Sequence, residues 1–307
     1  MGGGSWTSKD WSKYTASSGI TSKSTVKDIY KAVTGKKEFD PKGIEFRESC
    51  DSTEHPNSTP IILGLDVTGS MGSVLESVAK KLNVLVEQIY DRKPVTDPQI
   101  MVAAFGDSTC DDVPLQVTQF ESDIRIAEQL KDIYFERGGG GNDGESYSLP
   151  WYFASRHTKT DSFDKHNKKG FIFTMGDEPI LDTLSKEEIK KFIGDDVQSD
   201  LTSEQLLNEV SRKYEVYHLM ITEGSYMRYK NIKKINKWVD LLGQRAITVT
   251  SIDKIPEIIV SILEIASGKD KEEVINSWDG DTSVAVRNAT ESLTTAVNTG
   301  SELIEFV

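Results

Sequence analysis

The sequence predicts an α/β fold, a doubly wound and mostly parallel central sheet with helices on both faces. Three observations carry this. Short, continuous apolar runs recur along the chain, as strands buried on both faces require. Between them lie segments whose apolar residues return every three or four positions, which places one stripe on a helix. The two kinds of segment alternate, the pattern of crossover units in a parallel sheet.

The first run is residues 60–65, Pro-Ile-Ile-Leu-Gly-Leu. Leu75, Val78, Leu82, Leu85 and Ile89 then mark a helix that ends before Pro94. Residues 99–105 read as a second buried strand, and 115–120 alternate as an edge strand does. Helical spacing at Ile124, Ala127, Leu130 and Ile133 predicts a helix over 123–134. The run from Gly138 to Asn142 is a loop ahead of a helix reaching about His157. Residues 170–175 are a third strand, followed by helices over 185–192 and 203–213. A fourth strand covers 216–221, a fifth 245–250 after a helix near 231–242, and a helix covers 255–265.

Flanking segments differ in composition. Residues 1–25 are rich in Gly, Ser, Thr and Lys, with Trp6 and Trp11 embedded, and read as a flexible or partner-dependent arm whose tryptophans pack back onto a surface. A short amphipathic piece covers 26–33. After Gly268 the pattern turns polar, with Trp278, Val284, Val286, Leu293 and Val297 marking at least one amphipathic helix. The expected organisation is therefore an arm and lead-in over 1–57, the domain over 58–267 and a partly helical tail over 268–307.

Composition narrows the function classes. At 37% hydrophobic and 28% charged, the chain of 307 residues buries a core. A net charge of −13 repels phosphate backbones and argues against nucleic acid. The basic stretch Arg228, Lys230, Lys233, Lys234 and Lys237 reads as a solvated helix face. Cys50 and Cys110 lack disulfide or Cys-x-x-Cys spacing, which fits reduced thiols in the cytoplasm. The start of the chain has no apolar stretch of a signal peptide, and no run has the length of a membrane span.

Open α/β sheets bind ligands beyond the carboxyl ends of their strands, so the loops there hold the candidate chemistry. The first reads Asp66-Val67-Thr68-Gly69-Ser70-Met71-Gly72. A carboxylate followed by hydroxyls at the second and fourth positions, on a turn tightened by Gly69, converges oxygens on a point. Mg²⁺ wants such oxygens in octahedral geometry while keeping some water. The competing reading makes Ser70 the N-cap of the following helix.

This segment resembles the Asp-x-Ser/Thr-x-Ser motif of von Willebrand factor A (VWA) domains, and the resemblance covers roughly residues 58–265. It implies a VWA or Rossmann-like fold and a metal-ion-dependent adhesion site. Asp66 would then reach the ion largely through water, and Thr68 and Ser70 would supply hydroxyls. The family completes the site with a threonine from another loop. The corresponding segment here, Gly139 to Glu145, has none; Asp143 is the favoured substitute, then Asn142, with Glu145 also open. Asp143 and Glu145 could equally serve the dipole of the next helix. The family also places an aspartate after a later strand, which matches Asp177. The acidic loop Gly106 to Asp112 reads as surface or as the rim of the site.

Phrases such as Arg47-Glu48-Ser49-Cys50-Asp51-Ser52, Gly141-Asn142 with Glu145-Ser146-Tyr147, and Leu241-Leu242-Gly243-Gln244-Arg245 resemble a bacterial and phage VWA group without an assigned function.

The resemblance implies a divalent-cation-dependent protein-binding module. Mg²⁺ is the expected ion, with Mn²⁺ or Ca²⁺ as alternatives. The expected partner is a protein, engaged through an acidic side chain, in the manner of an adaptor for an AAA+ ATPase or a larger assembly. The alternative is a structural or assembly protein whose ion only braces the loops. A metal-dependent phosphohydrolase is less favoured: a dehalogenase-like pair would need Asp where Thr68 stands. No Gly-Lys-Ser/Thr follows the glycine run, and no Gly-x-Ser-x-Gly elbow occurs, so no enzyme is expected. His55, His157, His166 and His218 are scattered, and His218 reads as a core residue of a strand.

Overall fold

A computed structural model describes residues 4–135, 144–222 and 232–294. The strands of the central sheet are β1 Thr59–Asp66, β2 Pro98–Phe105, β3 Leu115–Val117, β4 Gly170–Gly176, β5 Tyr214–Ile221 and β6 Ala246–Val249. Their order across the sheet is β3-β2-β1-β4-β5-β6. All neighbours are parallel except β2 and β3. The predicted doubly wound fold is the observed one. The order reverses between β1 and β4, so the crevice of this sheet opens between the ends of those two strands.

The period of two along each strand sorts side chains onto two cores. Ile61, Leu63 and Leu65 of β1, Val102 of β2, Phe173 of β4 and Leu219 of β5 face one layer. Ile62, Met101, Ile172 and Val216 face the other. The first layer holds α1 Ser8–Ser18, α2 Gly72–Arg92 and, later in the chain, Ile255–Ala266. Helix α2 carries its stripe through Leu75, Val78, Leu82, Leu85 and Ile89, all buried, and ends at a left-handed Lys93. The helix α3 Arg125–Leu130 packs at the edge of this layer. The second layer comprises α4 Ser148–Arg156, α5 Lys186–Phe192, α6 Ser203–Val210 and α7 Ile232–Leu242. The Ile255–Ala266 helix is α8. It is buried on nearly every side because α9 Lys271–Asn276 and α10 Gly280–Ala289 cover its outer face. No described helix is long and apolar enough to cross a membrane.

Four expectations need correction. The arm is not loose among its described residues. Thr7 caps α1 by accepting from the Asp10 amide, and Gly19 ends it at φ 73°. Trp6 packs back as expected: it is buried and its indole donates to Asn83 Oδ1 at 3.0 Å. The helix expected over 123–134 stops after Leu130, because the Gln116 side chain takes both the N–H and the C=O of Tyr134 at 2.8 Å, as a neighbouring strand would. The edge strand stops at Val117, since Thr118 Oγ1 takes the Val102 N–H at 2.8 Å. That edge is also covered rather than exposed: Val117 donates to Phe39 O and accepts from the Arg47 guanidinium, both at 2.8 Å. Lastly, the helix expected over 203–213 ends at Val210.

Candidate metal centre

Asp66 closes β1, and Asp177 follows directly on β4, so the sheet sets them side by side at its switch point. The loop between Asp66 and α2 turns tightly through a short 3-10 segment, Gly69–Met71. Asp66 Oδ1 accepts from the Thr68 amide at 2.9 Å and from Thr68 Oγ1 at 2.6 Å. Thr68 Oγ1 lies 3.4 Å from Ser70 Oγ, and Ser70 Oγ donates to Asp177 Oδ1 at 3.0 Å. The hydroxyl of Ser70 thus points across the crevice. It caps no helix; the cap position before α2 is Met71, which makes no side-chain cap bond.

These four residues form a continuous chain of hard oxygens. Octahedral Mg²⁺ at about 2.1 Å from its ligands places neighbouring ligand oxygens about 3 Å apart. The spacings along the chain, 2.6, 3.4 and 3.0 Å, are hydrogen-bond distances that bracket that edge length. The donor set therefore fits a small divalent cation. Among the described residues no three His, Cys, Asp or Glu side chains converge as a ligand set.

Charge argues in the same direction. Asp66 and Asp177 are both fully buried. Burial pushes the Asp66 carboxyl up to about 8; the Thr68 hydrogen bonds oppose this, and the neighbouring Asp177 and Glu178 add to it. Glu145 is 4% exposed and one of its oxygens, Oε2, has no partner among the described residues. Burial, followed by Asp66, Glu178, Asp107 and Asp111, pushes its carboxyl up to about 10. Its segment is stitched to the loop after β4: the Glu145 amide donates to Pro179 O at 3.0 Å, and Glu145 O accepts from Leu181 N at 3.2 Å. A divalent cation would supply the positive charge that this group of carboxylates calls for.

Of the residues singled out in the sequence, Asp66, Thr68, Ser70 and Asp177 come together. Asn142 and Asp143 lie outside the described residues. The Gly106 to Asp112 loop is less superficial than its acidity suggests, because Asp107, Ser108 and Asp111 are buried. Asp107 Oδ1 accepts from Thr109 N at 2.8 Å and Thr109 Oγ1 at 2.7 Å, the same turn that Asp66 makes with Thr68. The repeated Asp-x-Thr spacing was its signal in the sequence. His218 is a core residue: it stacks on Trp238 at 3.6 Å, and burial holds its imidazole well below the ordinary value, hence neutral. Sequence reasoning missed Tyr147. Its phenol lies beneath the site, 3.4 Å from Asp66 Oδ2.

No family model and no curated protein matches the chain. Among solved structures, it is similar to the open conformation of the pilus adhesin SpaC from Lactobacillus rhamnosus GG, with TM-score 0.46 and 10% identity over 76% of this chain and 31% of that one. It is also similar to proximal thread matrix protein 1 from the mussel byssus, with TM-score 0.42 and 12% identity over 71% of this chain and 48% of that one. The chain thus spans less than half the length of either neighbour.

Proposed function

We propose that the chain is a VWA-type protein-binding module that depends on a divalent cation, Mg²⁺ being the ion its oxygens suit best, and that it is not an enzyme. The observation that carries this is the oxygen chain Asp66–Thr68–Ser70–Asp177 at the switch point of the sheet. Ser70 is only partly buried and Gly69 is exposed, so an ion held there would keep one side toward solvent. A carboxylate or another oxygen of a partner protein can fill that position, as the motif's resemblance implies. The test is capture of partners from a lysate with and without chelator, alongside calorimetric titration of Mg²⁺ and Mn²⁺. Partners held only when the ion is present, and lost in Ser70→Ala, support the reading. A partner that survives chelation unchanged sinks the metal bridge.

Complete burial of Asp66 and Asp177 favours a second reading, in which the ion only braces the loops. Under that reading Ser70→Ala lowers the thermal midpoint of the Mg²⁺-loaded protein and changes no partner.

A further inference from the structure

We propose that Tyr147, at the start of α4, is a positioning residue of this site, whose hydroxyl orients Asp66. The proposal rests on the cation reading above. It starts from an absence in the sequence: between Gly139 and Glu145 there is no threonine to offer a hydroxyl. The structure places a hydroxyl at the crevice from the start of α4. Tyr147 Oη donates to Asp66 Oδ2 at 3.4 Å and accepts from the Glu178 amide at 3.4 Å. One O–H thereby joins the loop after β1 to the loop after β4. Both contacts are long for hydrogen bonds, so this hydroxyl steers the carboxylate rather than clamping it.

The ring has no freedom to leave. It meets Phe105 edge-on at 4.8 Å, His218 at 4.9 Å and Trp238 at 5.0 Å. Trp238 in turn donates its indole N–H to Glu178 O at 3.0 Å, tying the same loop to α7. The last residue of β4 makes room for the phenol. A Cβ on Gly176 would sit 1.8 Å from Tyr147 Oη. Burial, with Asp66, Asp177 and Glu145 nearby, holds the phenol well above its ordinary value.

The two oxygens of Asp66 are thus treated differently. Oδ1 takes both Thr68 donors, and Oδ2 takes the phenol. Hydrogen bonds to the oxygens of a ligating carboxylate fix its plane and tune how it holds an ion, directly or through water. Removing the hydroxyl frees the carboxylate to turn while leaving the aromatic packing in place.

The experiment is Tyr147→Phe, with Mg²⁺ and Mn²⁺ titrated calorimetrically and the metal-free thermal midpoint measured beside it. The expected result is an affinity for both ions about 10- to 100-fold weaker, with the metal-free midpoint unchanged or raised. Equal affinity in parent and variant overturns the role of Tyr147 while the cation site stands. A loss of affinity accompanied by a lowered metal-free midpoint also overturns it, assigning the residue to the fold alone. A parent protein that binds neither ion overturns the cation reading itself, and this proposal with it.

Discussion

Gly176 is where packing and chemistry meet at the scale of one residue. Its missing Cβ is occupied by the Tyr147 hydroxyl. Gly176→Ala should push the phenol away from Asp66 and overpack a site with no slack. We expect a loss of about 1–3 kcal/mol in urea unfolding, together with weaker Mg²⁺ binding; a variant as stable as its parent would refute the close approach. Asp66→Asn separates charge from shape. The amide oxygen still accepts from Thr68, but a buried carboxylate is gone. The metal-free variant should melt at or above the parent's temperature near neutral pH, and Mg²⁺ should no longer raise its midpoint in scanning calorimetry. Asp66, Thr68 and Ser70 were legible in the sequence because their spacing is local, and Asp177 because the resemblance implies an aspartate directly after that strand. Tyr147 was not. Its partners Asp66 and Glu178 lie 81 and 31 residues away, and a tyrosine at the start of an apolar helix reads as core packing, which it also is.

At the scale of elements, the strands and long helices follow from apolar periodicity, because two buried faces leave no other pattern. The flanking elements do not. Helix α1 is polar, and what holds it is a few anchors. Trp6 reaches Asn83, Ser8 reaches Glu87 on the same helix α2, and Tyr14 donates to Ala127 O at 3.0 Å. Such anchors are set by the surface they meet, not by their own spacing. Trp6→Ala removes one of them, and truncation of a buried Trp costs about 3–5 kcal/mol where the site stays formed. Here the arm can instead detach, so the loss should be capped at the free energy of docking. Brief protease treatment should then cut between Ser18 and Ser24 in the variant faster than in the parent, with the remaining domain intact. Equal cleavage would show that Trp6 does not hold the arm. The early ends of α3 and of the edge strand have a similar origin. Gln116 and Thr118 compete through their side chains for backbone groups, and neither competition shows in an alternating pattern.

For the whole molecule, the arrangement of charge predicts how pH and the cation are linked. A chain of net charge −13 gathers buried carboxylates at the switch point of its sheet. In the metal-free protein the Asp66 carboxyl is pushed up to about 8 and that of Glu145 to about 10. Their unfolded values are about 3.9 and about 4.3. Because the folded values are raised, the folded state holds protons that the unfolded state releases. Their contribution to stability is fully present below about pH 4 and is lost as pH rises through 8 and toward 10. A cation competes with those protons, so its binding must release them, and its affinity must grow as they leave. The metal-free thermal midpoint should therefore fall between about pH 5.5 and about pH 8.5, and the rise in midpoint caused by Mg²⁺ should be larger at the upper end. Calorimetric titration in buffers of different ionisation enthalpy should register net proton release on Mg²⁺ binding, diminishing as pH approaches 8. Mg²⁺ stabilisation that is flat across this range would mean that the ion binds away from Asp66, at carboxylates already ionised in solvent.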